Sequence, residues 1–221
     1  MGLHLPGASF VTPNTPLRTA LTKLATKRAL EITSLGNYFT PAYQILDEKA
    51  FVNGIVGLMA TGGSTNLVLH LPAMAKAAGI KLELSDFDDI SSVTPLMAKI
   101  YPNGLADVNH FHAAGGLNYM IAELLEAGYL HNDVQTIMGL GLETYTKEPK
   151  LIDGKIEFVP SSTKSHNEKI LRPVSDPFQK SGGIKRLDGN LGSCIIKISS
   201  VPMEKQIIEA PARVFEAQEE V

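Results

Sequence analysis

The sequence predicts an α/β chain, rich in helix up to about residue 140 and rich in strand beyond about residue 170. Three observations carry that expectation. Apolar residues recur at three- and four-residue spacing in the first part of the chain, as on the buried face of a helix. In the last part, short apolar runs flank Gly-, Asp- and Asn-rich pairs, as in hairpins. Between them, from about residue 141, the stretch ETYTKEPKLIDGKIEFVPSSTKSHNEKILRPVSDPF is charged, carries Pro and Ser, and has little periodicity.

Residues 1–16 read as a loop, with Pro6, Gly7, Pro13, Asn14 and Pro16. Thr15 directly before Pro16 suits an N-cap followed by proline at the first helical position. Leu17, Leu21, Leu24, Ala25, Ala29, Leu30 and Ile32 then keep helical spacing beneath a Lys/Arg face, and Gly36 ends the helix. A second helix follows in AYQILDEKAFVNGIVGLMA, capped by Asp47; its half from Ile55 to Ala60 is apolar all round and therefore central. TGGSTN at 61–66 interrupts the apolar pattern, and LVLHLPAMAKAAG restarts it as a helix that Gly79 ends and that Pro72 either kinks or opens. IKLELS alternates as a strand does, and Ser85 is placed to cap the short acidic helix SDFDDISSV. TPLMAKIYPNG reads as a buried strand running into a Pro-Asn-Gly turn. DVNHFHAAGG and LNYMIAELLEAGYL are helical pieces broken at Gly115-Gly116. KLIDGKIEF is a hairpin turning at Asp153-Gly154, and GGIKRLDGNLGSCIIKISS gives two further strands around a second turn.

Bulk properties exclude several classes. With 221 residues, 44% hydrophobic and 19% charged, the chain has the composition of a globular protein. A net charge of −3 offers no basic field for nucleic acid and no polybasic membrane signal, so neither partner is expected. One cysteine excludes an internal disulfide framework and a four-cysteine zinc site. No apolar run approaches the roughly 20 residues that span a bilayer, and the N-terminus lacks a signal-peptide pattern.

Chemistry can reside in few places. At 61–66, two glycines let the backbone turn sharply and let a ligand come close. Ser64 or Thr65 can cap the next helix, whose free N–H groups suit a carboxylate or phosphate. A glycine hinge with a capped helix and no ligand accounts for the same residues. His70 sits on the apolar pattern and reads as a core histidine. DVNHFH clusters Asp107, Asn109, His110 and His112; Asn109 and His110 suit hydrogen bonding to a substrate better than the cluster suits zinc. Cys194 lacks a neighbouring base and reads as a small strand hydrophobe.

MGLHLPGASF, ATGGSTNLVLHL, YPNGLADVNHFHAAGG, ILRPVSDPF, GGIKRLDGNLG and EAPARVFEAQEEV, in this order, closely resemble the family that unites dihydroxyacid and 6-phosphogluconate dehydratases. The resemblance covers essentially the whole chain, and YPNGLADVNHF and LRPVSDPF resemble the phosphogluconate branch. It implies loss of water from 6-phospho-D-gluconate to give 2-dehydro-3-deoxy-6-phosphogluconate, a step of the Entner–Doudoroff pathway. It implies an iron–sulfur cluster of the 4Fe-4S type, with Mg2+ in some members, acting on the leaving hydroxyl while a serine base removes the C2 proton. It puts the cluster cysteines before the position of Met1 and the serine base after that of Val221, so the chain resembles the middle of a longer enzyme. On that reading residues 1–140 are the later part of an N-terminal α/β domain, 141–170 an interdomain segment, and 171–221 the beginning of a β-barrel-like C-terminal domain. No catalytic residue or metal ligand would lie within the chain, and alone it would bind no cluster and be inactive. The substrate contacts would be Gly63, Ser64, Thr65 and Asn66, with Asn109 and His110. A cytoplasmic homodimer acting on a sugar-acid phosphate is the whole protein implied. A segment of another sugar-acid dehydratase, or a non-catalytic phosphosugar-binding remnant, are the alternatives.

Overall fold

Helix starts follow the caps. In the computed structural model, which describes residues 1–220, helix α1 (Pro16–Glu31) begins behind Thr15, whose side chain accepts from the Arg18 N–H at 3.3 Å. It stops at Glu31 rather than at Gly36. Ile32 and Thr33 are β-branched and poor helix formers, and Tyr38 and Thr40 N–H groups take the carbonyls of Glu31 and Ile32 instead. After the short α2 (Ala42–Ile45), Asp47 caps α3 (Glu48–Ala60) as expected, accepting from the Ala50 N–H at 2.8 Å.

Helix α3 is the centre of the molecule. Its turn from Ile55 to Ala60 is apolar all round because it is packed on two sides. Val56 and Ala60 join Met97, Ala98, Phe111, Tyr119, Met120, Leu124 and Leu171 in one cluster. Phe51, Ile55, Leu58 and Met59 join Val68, Leu71, Ala75, Phe87 and Ile184 in a second.

Helix α4 (Thr65–Ala77) carries Pro72 in its interior and hands over to Gly79, whose φ of +78° suits glycine. The strand expected at 80–85 is absent. Ile80, Leu82 and Leu84 do all turn toward the second cluster, as the alternation implied, but no strand lies beside them to complete a ladder. Leu84 instead opens α5 (Leu84–Val93); Glu83, not Ser85, occupies the cap, and the Asp86 carboxylate accepts from the Glu83 N–H at 2.7 Å.

The run 96–100, buried as far as Ala98, is extended as expected, but it is paired one bridge at a time, Leu96 with Gln179 and Ala98 with Leu171. Both Met97 and Ala98 N–H groups donate to the carbonyl of Ala60, at 2.8 and 3.1 Å, so this segment lies between the end of α3 and residues 170–179. Helices α6 (Val108–Ala113) and α7 (Gly116–Glu126) are separated at Gly115-Gly116, both with positive φ.

Three two-stranded antiparallel sheets follow: β1 (Gln135–Thr136) with β2 (Gly139–Leu140), β3 (Lys147–Ile152) with β4 (Lys155–Pro160), and β5 (Ile184–Gly189) with β6 (Gly192–Lys197). The β3–β4 turn is Asp153-Gly154, with φ of +48° and +77° as in the favoured hairpin turns. The mixed helix-and-strand class holds. Among the described residues the strands form hairpins and no closed barrel, and no helix is long and apolar enough to cross a membrane.

Candidate functional site

The loop at 61–66 is built by closure of α3. The Gly62 N–H donates to Met59 O at 3.0 Å and the Gly63 N–H to Leu58 O at 2.8 Å, the crossed pattern that ends a helix on left-handed residues. Gly62 and Gly63 have φ of +100° and +79°. Each also lacks room for a side chain. A Cβ on Gly62 would stand 1.7 Å from Asn103 Nδ2, and one on Gly63 would stand 2.6 Å from Ile184 Cγ1. The close approach that the glycine pair permits is thus made by the chain itself.

Three further segments meet this loop. The Ser199 hydroxyl lies 2.6 Å from the Gly62 carbonyl and 2.9 Å from Asn103 Oδ1. Gly183 crosses Gly62 so tightly that a Cβ on it would be 2.0 Å from the Gly62 oxygen. The Gly183 carbonyl accepts from the Ile198 N–H at 2.8 Å. Lys197 pairs with Ile184 across the β5–β6 ladder, so the two side chains share the face that meets Gly63. Burial lowers the Lys197 pKa from its ordinary value, and no acid pairs with it among the described residues.

Of the residues predicted for substrate contact, Gly63, Ser64, Thr65 and Asn66 stand together at the start of α4, with Thr65 and Asn66 exposed. Of the two residues expected to cap α4, Ser64 holds the N-cap position without a capping hydrogen bond from its side chain, and Thr65 is already the first helical residue. His70 is exposed and is not a core histidine; its position on α4 falls outside the buried stripe of Val68, Leu71 and Ala75. Asn109 and His110 lie on the exposed first turn of α6. There the Asp107 carboxylate accepts from both of their backbone N–H groups, at 2.9 and 3.0 Å. Those bonds, the His110 one first, hold the Asp107 pKa below its ordinary value. His110 Nδ1 lies 2.8 Å from Asp107 Oδ1. No hydrogen bond joins Asn109 or His110 to residues 64–66 among the described residues. Asn103, Gly183, Lys197 and Ser199 were not singled out from the sequence. Pro-Asn-Gly at 102–104 was read as a turn, and Gly-Gly at 182–183 only as the start of one of the family-resembling stretches.

A model described as the dihydroxy-acid/6-phosphogluconate dehydratase N-terminal region matches residues 1–145, and the corresponding C-terminal model matches 169–221. The chain belongs to the dihydroxy-acid/6-phosphogluconate dehydratase family. Within the family, this chain is 56% identical to a phosphogluconate dehydratase of Rhizobium meliloti and 52% to one of Escherichia coli K12, over its whole length and 37% of each relative. It is 36% identical to a dihydroxy-acid dehydratase of Caldanaerobacter subterraneus, again over its whole length and 37% of the relative. The chain therefore spans little more than a third of the length of these relatives.

An iron–sulfur cluster takes cysteine thiolates as its usual ligands, typically four. Cys194 is single and exposed, on strand β6 rather than in the core. Among the described residues no three His, Cys, Asp or Glu side chains converge as a metal-binding group. The residues of this chain do not fit a cluster, and no chemical step is assigned through one.

Proposed function

We propose that the chain is a substrate-holding segment of a phosphogluconate dehydratase, the complete enzyme of which removes water from 6-phospho-D-gluconate to give 2-dehydro-3-deoxy-6-phospho-D-gluconate. The observation that carries this reading is the gradient of likeness: 46–56% identity to phosphogluconate dehydratases against 36% to a dihydroxy-acid dehydratase, over the same full span. The role of this segment is to bind and orient. Beside Gly63, whose own N–H is bonded to Leu58 O, Ser64, Thr65 and Asn66 offer hydroxyl, amide and backbone N–H donors at a helix start, where negative charge is favoured. Lys197 adds a cation on the neighbouring face, and Asn109 and His110 are further donors on α6. An uncapped Ser64 supports a ligand role, because the folding reason for a serine at that position is missing. In the complete enzyme a 4Fe-4S cluster, and Mg2+ where used, is held by residues other than Cys194, and the base is likewise outside this segment. The division into a 1–140 α/β part, a 141–170 connection and a 171–221 β-rich part that closes into a barrel-like domain belongs to the same proposal. So does a cytoplasmic homodimer.

The test is kinetic. In the complete enzyme carrying this segment, kcat/KM for 6-phosphogluconate should exceed that for 2,3-dihydroxyisovalerate by more than about 100-fold. Ser64→Ala should raise KM about tenfold while leaving the melting temperature within about 2 °C. Equal or reversed preference for the two acids overturns the reading, and an unchanged KM removes Ser64 from it.

A further inference from the structure

The loop that carries Ser64, Thr65 and Asn66 is closed onto α3 by the Gly62 and Gly63 N–H groups, but its Gly62 carbonyl is held from elsewhere. It is fixed by groups from two distant parts of the chain. Ser199, just beyond β6, has one hydroxyl proton, and the 2.6 Å contact to the Gly62 carbonyl takes it. Asn103 Oδ1, 2.9 Å from the same hydroxyl oxygen, is the other acceptor within its reach, while Asn103 Nδ2 donates to Thr61 O at 3.5 Å. Gly183 is the floor of the junction, since nothing larger than hydrogen fits between it and the Gly62 oxygen. Ser199 is itself held, because Ile198 and Ser199 N–H groups both donate to Gly183 O, at 2.8 and 3.4 Å. The Gly62 carbonyl shares its planar peptide with the Gly63 N–H, which donates to Leu58 O at 2.8 Å, so Ser199 secures the second end of that peptide. Anchoring that carbonyl sets the direction in which the chain leaves Gly63 and enters α4.

We infer that Ser199, with Asn103, is a positioning residue: its hydroxyl ties the β5–β6 segment to Gly62 and so sets the orientation of Ser64, Thr65 and Asn66 toward an anionic substrate. The kinetic part rests on the reading that this loop meets substrate; the coupling itself does not. Ser199 is not placed in contact with substrate, and its removal acts through the loop.

Two measurements on the complete enzyme separate these levels. Amide exchange at Gly62 and Gly63, whose N–H groups donate to the α3 carbonyls of Met59 and Leu58, should be about fivefold faster in Ser199→Ala, with exchange of the N–H groups within α3 and α7 unchanged. KM for 6-phosphogluconate should rise about five- to tenfold with kcat within about twofold, and Ser199→Thr, which keeps the hydroxyl, should restore it. Asn103→Ala should move both readouts in the same direction, which preserves the test if Ser199→Ala does not fold. Unchanged exchange at Gly62 and Gly63 overturns the coupling, whatever the substrate. Faster exchange with unchanged KM in an enzyme that turns over 6-phosphogluconate overturns the positioning role. A uniform fall in protection, with no rescue by threonine, shows only structural support and also overturns it. An enzyme with no turnover of 6-phosphogluconate refutes the functional reading instead, and the exchange result then decides the coupling alone.

Discussion

At the scale of the residue, the glycines at 62 and 63 and the glycine at 79 look alike in sequence but do different things. All three have positive φ. Around Gly79 there is open space, whereas a Cβ on Gly63 would sit within 2.6 Å of Ile184 Cγ1. Gly79→Ala should therefore cost only the left-handed strain, about 1–2 kcal/mol. Gly63→Ala adds an overpacking cost against the core and should lose about 2–5 kcal/mol in all. Urea denaturation of the two variants checks the order, and equal losses would mean that Ile184 moves aside without cost. The sequence made both positions legible as turns. It could not show that Ile184, well over a hundred residues away, fills the space beside one of them and not the other. The same limit applies to Ser199 and Asn103, whose roles come only from where the chain crosses itself.

At the scale of the element, α5 and β5 are joined by one carboxylate. Asp88 accepts from the Arg186 N–H at 3.0 Å and from the Lys185 ammonium at 2.9 Å. Partial burial works against its charge, but the Arg186 N–H and Lys185 outweigh it and hold the pKa below the ordinary 3.8. A carboxyl with a depressed folded pKa adds stability that is fully present above the unfolded value and lost as pH falls through the folded one. Docking of β5 on α5 should thus weaken below about pH 3.8. Asp88→Asn should lower stability at pH 6 and flatten its fall on acidification, read as melting temperature against pH; an unchanged acid slope would assign that slope to other carboxylates. Element legibility followed the same logic of local against distant cause. The caps at Thr15 and Asp47, the break at Gly115-Gly116 and the Asp153-Gly154 hairpin were readable, because each is set by neighbours within a few residues. The strand expected at 80–85 failed because alternation reports which side is buried, not whether a partner strand exists. The capping expected of Ser64 failed because the loop enters α4 on an anchored Gly62 carbonyl rather than on a side-chain cap.

At the scale of the whole molecule, residues 170–199 are not an appendage to the helices. Leu171 is fully buried in the cluster around Phe111 and Met120, and Ile184 in the cluster around Phe51 and Phe87. Arg172 N–H donates to Met97 O and Phe178 N–H to Leu96 O, at 2.8 and 2.9 Å, so the same segment supplies hydrogen bonds to the buried residues 96 and 97. The change of texture at 141 that the sequence displays marks a change of surface chemistry, while the core runs on beneath it. Helix α3 links the two clusters, which makes cooperative unfolding of residues 48–199 the expected behaviour. Leu171→Ala opens a cavity beside Ala98 and Phe111 and should cost about 2–5 kcal/mol. If the clusters form one unit, that variant and Phe87→Ala, in the other cluster, should each lower a single transition, with far-ultraviolet ellipticity and tyrosine absorbance reporting the same midpoint. Two separated midpoints in Leu171→Ala, with only the later one shifted by Phe87→Ala, would show that the clusters melt independently and that α3 does not carry stability between them.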